Sequence, residues 1–211
     1  SFWEKYEFFI RHSAGLGKSP TEKDPDIYDH RNIHCDVLVV GAGISGILAA
    51  KNAAKNNLKT LLVDEKNELG GATIYQNREF NKIDNQSSSD WIKKEIKELK
   101  NIKNLEIKTR TSVAAYHGYN YLLARENLTD HLEKKDKNNK IRQRLLKIRA
   151  KKVILATGAL ERPLIFNNND RPGIILSTAV KKYADFFGVK CGEKNVFFTN
   201  NDSAYESALC L

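Results

Sequence analysis

A chain of 211 residues, 41% hydrophobic and 29% charged, has the composition of a folded protein with room for one full domain and part of another. No apolar run approaches the roughly 18 residues that span a bilayer, and no basic-then-apolar leader stands at the start; a membrane is therefore not an expected partner and the cytoplasm is the default location. The net charge of +9 comes from lysines scattered with asparagines along the whole chain, as in ELKNIKNLEIK, which reads as solvated surface and not as a nucleic-acid stripe.

Residues 1–34 carry turn signals (GLGKSP, EKDPD) and aromatic residues without sustained periodicity, and are expected to form a connector packed onto a domain. From Cys35 the stretch DVLVVGAGISGILAAKNAAKNNLKTLLVDEK reads as a buried strand, a glycine turn, a helix and a second buried strand, which is a βαβ unit. Ser87–Ser89 and Asp90 offer capping oxygens to WIKKEIKELK, whose Trp91, Ile92, Ile96 and Leu99 share one helical face. LEIKTRTSV alternates as a third strand. Two β-rich segments follow, joined by the charged tract EKKDKNNK, and KKVILATG returns as an apolar strand beside the first. The expected fold is α/β, a Rossmann-like dinucleotide-binding domain over residues 35–165 with an inserted β-meander. Residues 166–211, ending in the strand and helix VFFTNNDSAYESAL, begin a second, incomplete domain of similar type. The chain contains no methionine and stops inside an apolar helix, so it reads as a fragment.

Gly41-Ala42-Gly43-Ile44-Ser45-Gly46 is G-x-G-x-x-G between strand and helix. Gly41 permits the tight turn, Gly43 lets backbone approach a pyrophosphate, and Gly46 lets helix and strand pack closely, while the helix N-terminus supplies free N–H groups. Asp64, closing the second strand about 20 residues on, is placed to hydrogen-bond an adenosine ribose and to disfavour a 2′-phosphate. Glu65 and Lys66 face either the adenine end or solvent. Gly71, Ala72 and Thr73 let backbone and a small hydroxyl lie against the ligand, or form an ordinary loop. Val113 is placed either against adenine through its backbone or in the core, and Thr157 and Gly158, at the end of the returning strand, complete the cofactor-binding set.

Other chemistry is sparse. Cys35, Cys191 and Cys210 form no CxxC, so neither a zinc site nor a dithiol is spelled, and no metal is expected. His34, His117 and His131 read as isolated polar contacts, and no residue stands out as a catalytic acid, base or nucleophile. Glu161-Arg162-Pro163 and Asp170-Arg171-Pro172-Gly173 are expected to fix the crossing between domains, with Arg162 and Arg171 alternatively facing a phosphate or an interface. Where a second glycine fingerprint would stand, Thr199-Asn200-Asn201-Asp202 adds side chains and a negative charge, so no second dinucleotide is expected to bind there in the usual way.

GAGISG with VDE, LGG and ILATG together resemble the two-dinucleotide-binding flavoproteins of the disulfide reductases and their amine-oxidising relatives. More narrowly, YDHRNIHCDVLVVGAG, TSVAAYHGYNYLLARENLTDHL, LATGALERPLIFNNNDRPGIILSTAV and VFFTNNDSAY look like the alpha subunit of heterotetrameric sarcosine oxidase. The resemblance implies a complex with beta, gamma and delta subunits that oxidatively demethylates sarcosine to glycine, passing the one-carbon unit to tetrahydrofolate and forming peroxide. It implies FAD in the beta subunit, FMN at the alpha–beta interface, and NAD on this chain, with FAD the alternative. On this sequence the ligand would touch Ser45, Asp64, Glu65, Lys66, Ala72 or Thr73, and Val113. Two other readings stay open: the alpha subunit of a proline, hydroxyproline or opine dehydrogenase, and a nucleotide-binding assembly module without catalysis.

Overall fold

The computed structural model describes residues 2–17, 21–75, 82–133, 136, 140–209 and 211. Cys210, most of the EKKDKNNK tract and the end of GLGKSP lie outside the described residues.

In chain order the elements are α1 (Phe2–Ser13), β1 (Ile27–Val40), α2 (Ile44–Lys55), β2 (Thr60–Val63), a 3-10 turn (Gly71–Tyr75), β3 (Lys82–Ile83), β4 (Gln86–Ser87), α3 (Ser88–Lys100), β5 (Leu105–Lys108), β6 (Thr111–His117), β7 (Tyr121–Asn127), β8 (Ile141–Leu155), α4 (Ser177–Asp185) and α5 (Ser203–Ala208). Six strands form one sheet in the order β5-β2-β1-β8-β7-β6. The pairs β5–β2, β2–β1 and β1–β8 are parallel; β8–β7 and β7–β6 are antiparallel, so a three-stranded meander is fused to a parallel Rossmann-like half-sheet.

The central strands explain their own sequences. Along β1, Val37 and Val39 point to one face and Leu38 and Val40 to the other, all buried, because both faces are covered. On one face Val37, Val39 and Leu62 pack under α2 and α3, meeting Ile47, Ala50, Trp91 and Leu99. On the other, Leu38, Val40, Leu61 and Val63 join Leu122, Leu146 and Ile148 of the meander. Each fully buried leucine or valine contributes about 1.5–3 kcal/mol of transfer free energy. Ser87 caps α3, its Oγ accepting from Asp90 N at 3.2 Å. Lys51 of α2, its side chain 14% exposed, pairs with Glu95 and Glu98 of α3 at 2.7 Å each and fixes the two helices against one another. Among the described residues no helix is long and apolar enough to cross a membrane.

Four expectations are corrected. The first segment holds a helix, α1, and β1 starts at Ile27, well before Cys35, because its polar first half pairs with the start of β8 from Ile27↔Ile141 to His34↔Arg149. The stretch LEIKTRTSV is two strands and not one: Arg110 adopts a left-handed φ of 51° and turns the chain from β5 into β6. Val113 consequently belongs to the meander and packs against the core on that face. Val196–Thr199 is not a strand; among the described residues no neighbouring strand pairs with it, and Val196 is 97% exposed.

Candidate dinucleotide site

The site is built where the parallel strands end. Gly41 leaves β1 at φ 97° with its N–H donated to Val63 O at 2.8 Å. A Cβ there would lie 2.3 Å from Ala156 O, so the turn can run beside the end of β8 only as glycine. At Gly46 a Cβ would lie 1.8 Å from Gly41 O, which is the close approach of α2 to the turn. Gly43, the N-cap of α2, is different: a Cβ there would meet nothing within 4 Å. Among the described residues the space above it is open, and no side chain caps the first N–H groups of α2. Those donors and the positive end of the helix dipole are what a pyrophosphate needs.

The second layer of the site is the Gly70–Tyr75 segment. Gly70 N donates to Ala42 O at 2.8 Å, and a Cβ on Gly71 would come within 2.9 Å of Gly43 Cα, so the glycine pair is seated directly on the first turn. Ala72 is exposed beside it, whereas Thr73 is 4% exposed and faces inward. Ser45 is exposed on the first turn of α2. Ala156 N donates to Val40 O at 2.8 Å, which brings the exposed Thr157 and Gly158 alongside Gly41. From the meander, Thr111 N donates to Asp64 O and Arg110 N to Lys66 O, each at 2.8 Å, so the start of β6, two residues before Val113, abuts the end of β2.

Asp64 has a different task from the one its position suggests. It is 9% exposed; Oδ2 accepts from Ala42 N at 2.6 Å and Oδ1 from Lys66 N at 2.8 Å. With both oxygens held by backbone donors, the carboxylate braces the glycine turn against the end of β2. Glu65, the next residue, is exposed at that rim. Lys66 reaches instead to Tyr75, with Nζ 3.4 Å from the phenol oxygen and 5.4 Å from the ring centre.

Around the site, Glu161 replaces a local cap: one oxygen accepts from Ser177 N and Oγ (3.1 and 2.8 Å), the other from Thr178 N and Oγ1 (2.7 and 2.6 Å), pinning the start of α4 to the segment after β8. Burial alone would raise its carboxyl, but these hydrogen bonds win and hold it below the usual glutamate value. No sequence signal near Ser177 announces a cap 16 positions upstream. Burial pushes the Cys35 thiol up to about 11, which makes it an inert apolar side chain. At the former second fingerprint, Asn201 Oδ1 accepts from Ser203 N at 3.0 Å, so a side chain occupies the place where a phosphate would meet α5. Among the described residues no three His, Cys, Asp or Glu side chains gather as a metal site.

The profile of the pyridine nucleotide-disulphide oxidoreductases matches residues 35–200. The chain belongs to that family. Within it, the sarcosine oxidase subunit alpha of Corynebacterium sp. (strain P-1) is 42% identical over 191 residues, covering 90% of this chain and 20% of its own length. The subunit of the same name from Rhizobium meliloti (strain 1021) is 38% identical over 207 residues, 98% of this chain and 21% of that protein. The chain thus spans about a fifth of the length of these relatives. Among solved structures, the L-proline dehydrogenase of P. horikoshii superposes with a TM-score of 0.62 at 24% identity, over 83% of this chain and 32% of that one, which is a likeness of fold. Family membership agrees with the geometry: an oxidoreductase fold whose glycine turn, bare helix terminus and seated glycine pair suit a dinucleotide.

Proposed function

We propose that this chain is the dinucleotide-binding part of the alpha subunit of a sarcosine-oxidase-type complex, and that it holds NAD at Gly41–Gly46. The observation that carries the reading is the open space above Gly43 at an uncapped helix terminus, in a chain 42% identical to a sarcosine oxidase alpha subunit along nine-tenths of its length. A Cβ would intrude there and none of the described residues fills it, so the cradle fits a pyrophosphate. The N–H groups of Gly43–Gly46 and the Ser45 hydroxyl hold the phosphates, Gly71 and Ala72 line them, and Thr157 and Gly158 border the far side. Because Asp64 is committed to Ala42 and Lys66, Glu65 takes the adenosine ribose, and the backbone around Val113 faces the adenine.

When bound, a nicotinamide dinucleotide supplies a hydride acceptor or donor; the chain's own residues bind and orient it. In this reading the amine is oxidised largely on the flavins, FAD in the beta subunit and FMN at the alpha–beta interface, in a complex completed by gamma and delta subunits. Residues 35–165 form the nucleotide domain and residues 166–211 open the second one. The products are glycine, a one-carbon unit carried by tetrahydrofolate, and peroxide.

The test is to purify the whole complex from its source, denature the alpha chain and identify the released nucleotide by mass. One equivalent of NAD per alpha chain is expected. Stoichiometric FAD would overturn the cofactor assignment, and turnover of proline but not sarcosine by the same complex would overturn the substrate.

A further inference from the structure

At the end of the parallel strands opposite the glycine turn stand two features that dinucleotide binding does not use. The first is the β6–β7 hairpin, which turns through Tyr119 (φ 58°, ψ 35°) and Asn120 (φ 50°). Two successive left-handed residues make the mirror-image turn that favours Asn-Gly, and a tyrosine in the first position costs about 1–2 kcal/mol. The Tyr119 ring itself gains little packing in return, being 94% exposed. The turn is nonetheless held firmly. Tyr116 OH donates to Asn120 Oδ1 at 2.7 Å, Asn120 Nδ2 donates to Lys151 O at 3.0 Å, and the Arg149 guanidinium lies 4.8 Å over the Tyr121 ring. An exposed aromatic ring on a rigid, strained mount is the arrangement expected of a contact residue.

The second feature lies beside it. A groove of about 370 Å³ is lined by His34, Cys35, Asp36, Lys59, Arg149 and Lys151. Asp36 is its one acid, and both oxygens are taken, by Lys151 Nζ at 2.7 Å and by Lys59 N at 2.8 Å. Among the described residues Arg149 and the Lys59 ammonium form no close ion pair: Arg149 lies over the Tyr121 ring, and the Lys59 charge acts on Asp36 from farther off, after Lys151 and the Lys59 N–H. The groove is therefore net positive, with Arg149, Lys59 and Lys151 around one carboxylate.

We propose that the hairpin tip and this groove form a docking surface for an acidic segment of another protein chain, with Tyr119 as anchor and Arg149 and Lys59 meeting its carboxylates. The charge balance selects the partner. A second copy of this chain docking here through the same surface would be repelled. Nucleic acid requires a longer run of phosphate contacts, typically about 6–10, than three cations around one pit can make. The surface is independent of which nucleotide occupies the other end of the strands.

The experiment places benzoylphenylalanine at Tyr119 in the full-length chain within its native complex, irradiates it, and identifies the crosslinked peptide by mass spectrometry. The expected partner is a segment of a different chain rich in Asp and Glu. That peptide, synthesised and fluorescently labelled, is then titrated against full-length wild type, Tyr119→Gly and Arg149→Glu. Affinity should fall at least tenfold for each variant. Tyr119→Gly should leave the melting temperature unchanged or raised, since glycine relieves the left-handed strain. A crosslink only within the chain, to a second copy or to nucleic acid, or no crosslink at all, would overturn the proposal; so would unchanged peptide affinity in Tyr119→Gly. Both variants should keep their bound dinucleotide, so the outcome reads separately from the cofactor assignment.

Discussion

Replacing Asp64 with alanine removes the acceptor of two backbone N–H groups at once, those of Ala42 and Lys66. Ala42 is fully buried and Asp64 itself is 9% exposed, so water does not readily take the carboxylate's place. An orphaned buried donor costs about 1–3 kcal/mol, which puts the double loss at about 2–6 kcal/mol. Against a total stability of about 5–15 kcal/mol that is a large effect. Asp64→Asn should lose about half as much, because the amide keeps one oxygen for one donor and turns an NH2 toward the other. Urea denaturation of the purified subunit, followed through Trp91 buried in the helix-side core, gives both numbers if the slope stays constant. Glu65→Ala serves as the contrast, expected to leave the midpoint alone and weaken nucleotide binding. If Asp64→Ala melted within about 0.5 kcal/mol of wild type, while losing nucleotide as Glu65→Ala should, the carboxylate would be a ligand contact and the bracing argument would be wrong.

Two further outcomes follow from the same site. Gly43→Ala, whose new methyl enters open space, should fold with wild-type stability yet bind dinucleotide at least tenfold more weakly, by equilibrium dialysis; Gly46→Ala should fail to fold or lose several kcal/mol, because its methyl overlaps Gly41 O. Glu161→Gln should destabilise the start of α4 at neutral pH by about 1–2 kcal/mol. Since the folded-state carboxyl lies below its ordinary value of 4.5, the folded form binds fewer protons there. The wild-type advantage is thus complete above about pH 5 and disappears as pH falls through the folded value. Thermal melts of both proteins between pH 3 and 7 should converge at the acid end, and a constant gap would refute the assignment.

The βαβ core was legible because its signals are local. DVLVV and TLLV are apolar on both faces, and the spacing of Gly41, Gly43 and Gly46 has a steric meaning that the contacts with Ala156 and Gly41 O bear out. The amphipathic face of α3 was equally plain. What stayed hidden depends on partners distant in sequence. The first half of β1, IYDHRNIH, is too polar to read as a strand and becomes one only by pairing with β8. Helix α1 does carry a helical period, with Phe2, Tyr6, Phe9 and Ile10 set against Glu7 and Arg11, but it is only 12 residues long and is followed at once by turn signals, so it does not stand out. VFFT is apolar enough for a strand, yet a strand needs a neighbour. The spacing marks Asp64 as a site residue, but its acceptance from Ala42 N is a tertiary contact that spacing does not reveal.

The long parallel pairing of β1 with β8 has a consequence for how the chain reaches this state. The partner of β1 on the β2 side follows it within about 25 residues, but Cys35 meets Ala150 and Val40 meets Leu155 only when the whole crossover and meander have been made. Until then Leu38 and Val40 stand on an uncovered face with an unpaired backbone edge beside them. The nascent chain therefore carries the apolar second half of β1 half-covered from its own synthesis until β8 is made, an interval in which an exposed apolar face and an open strand edge favour aggregation.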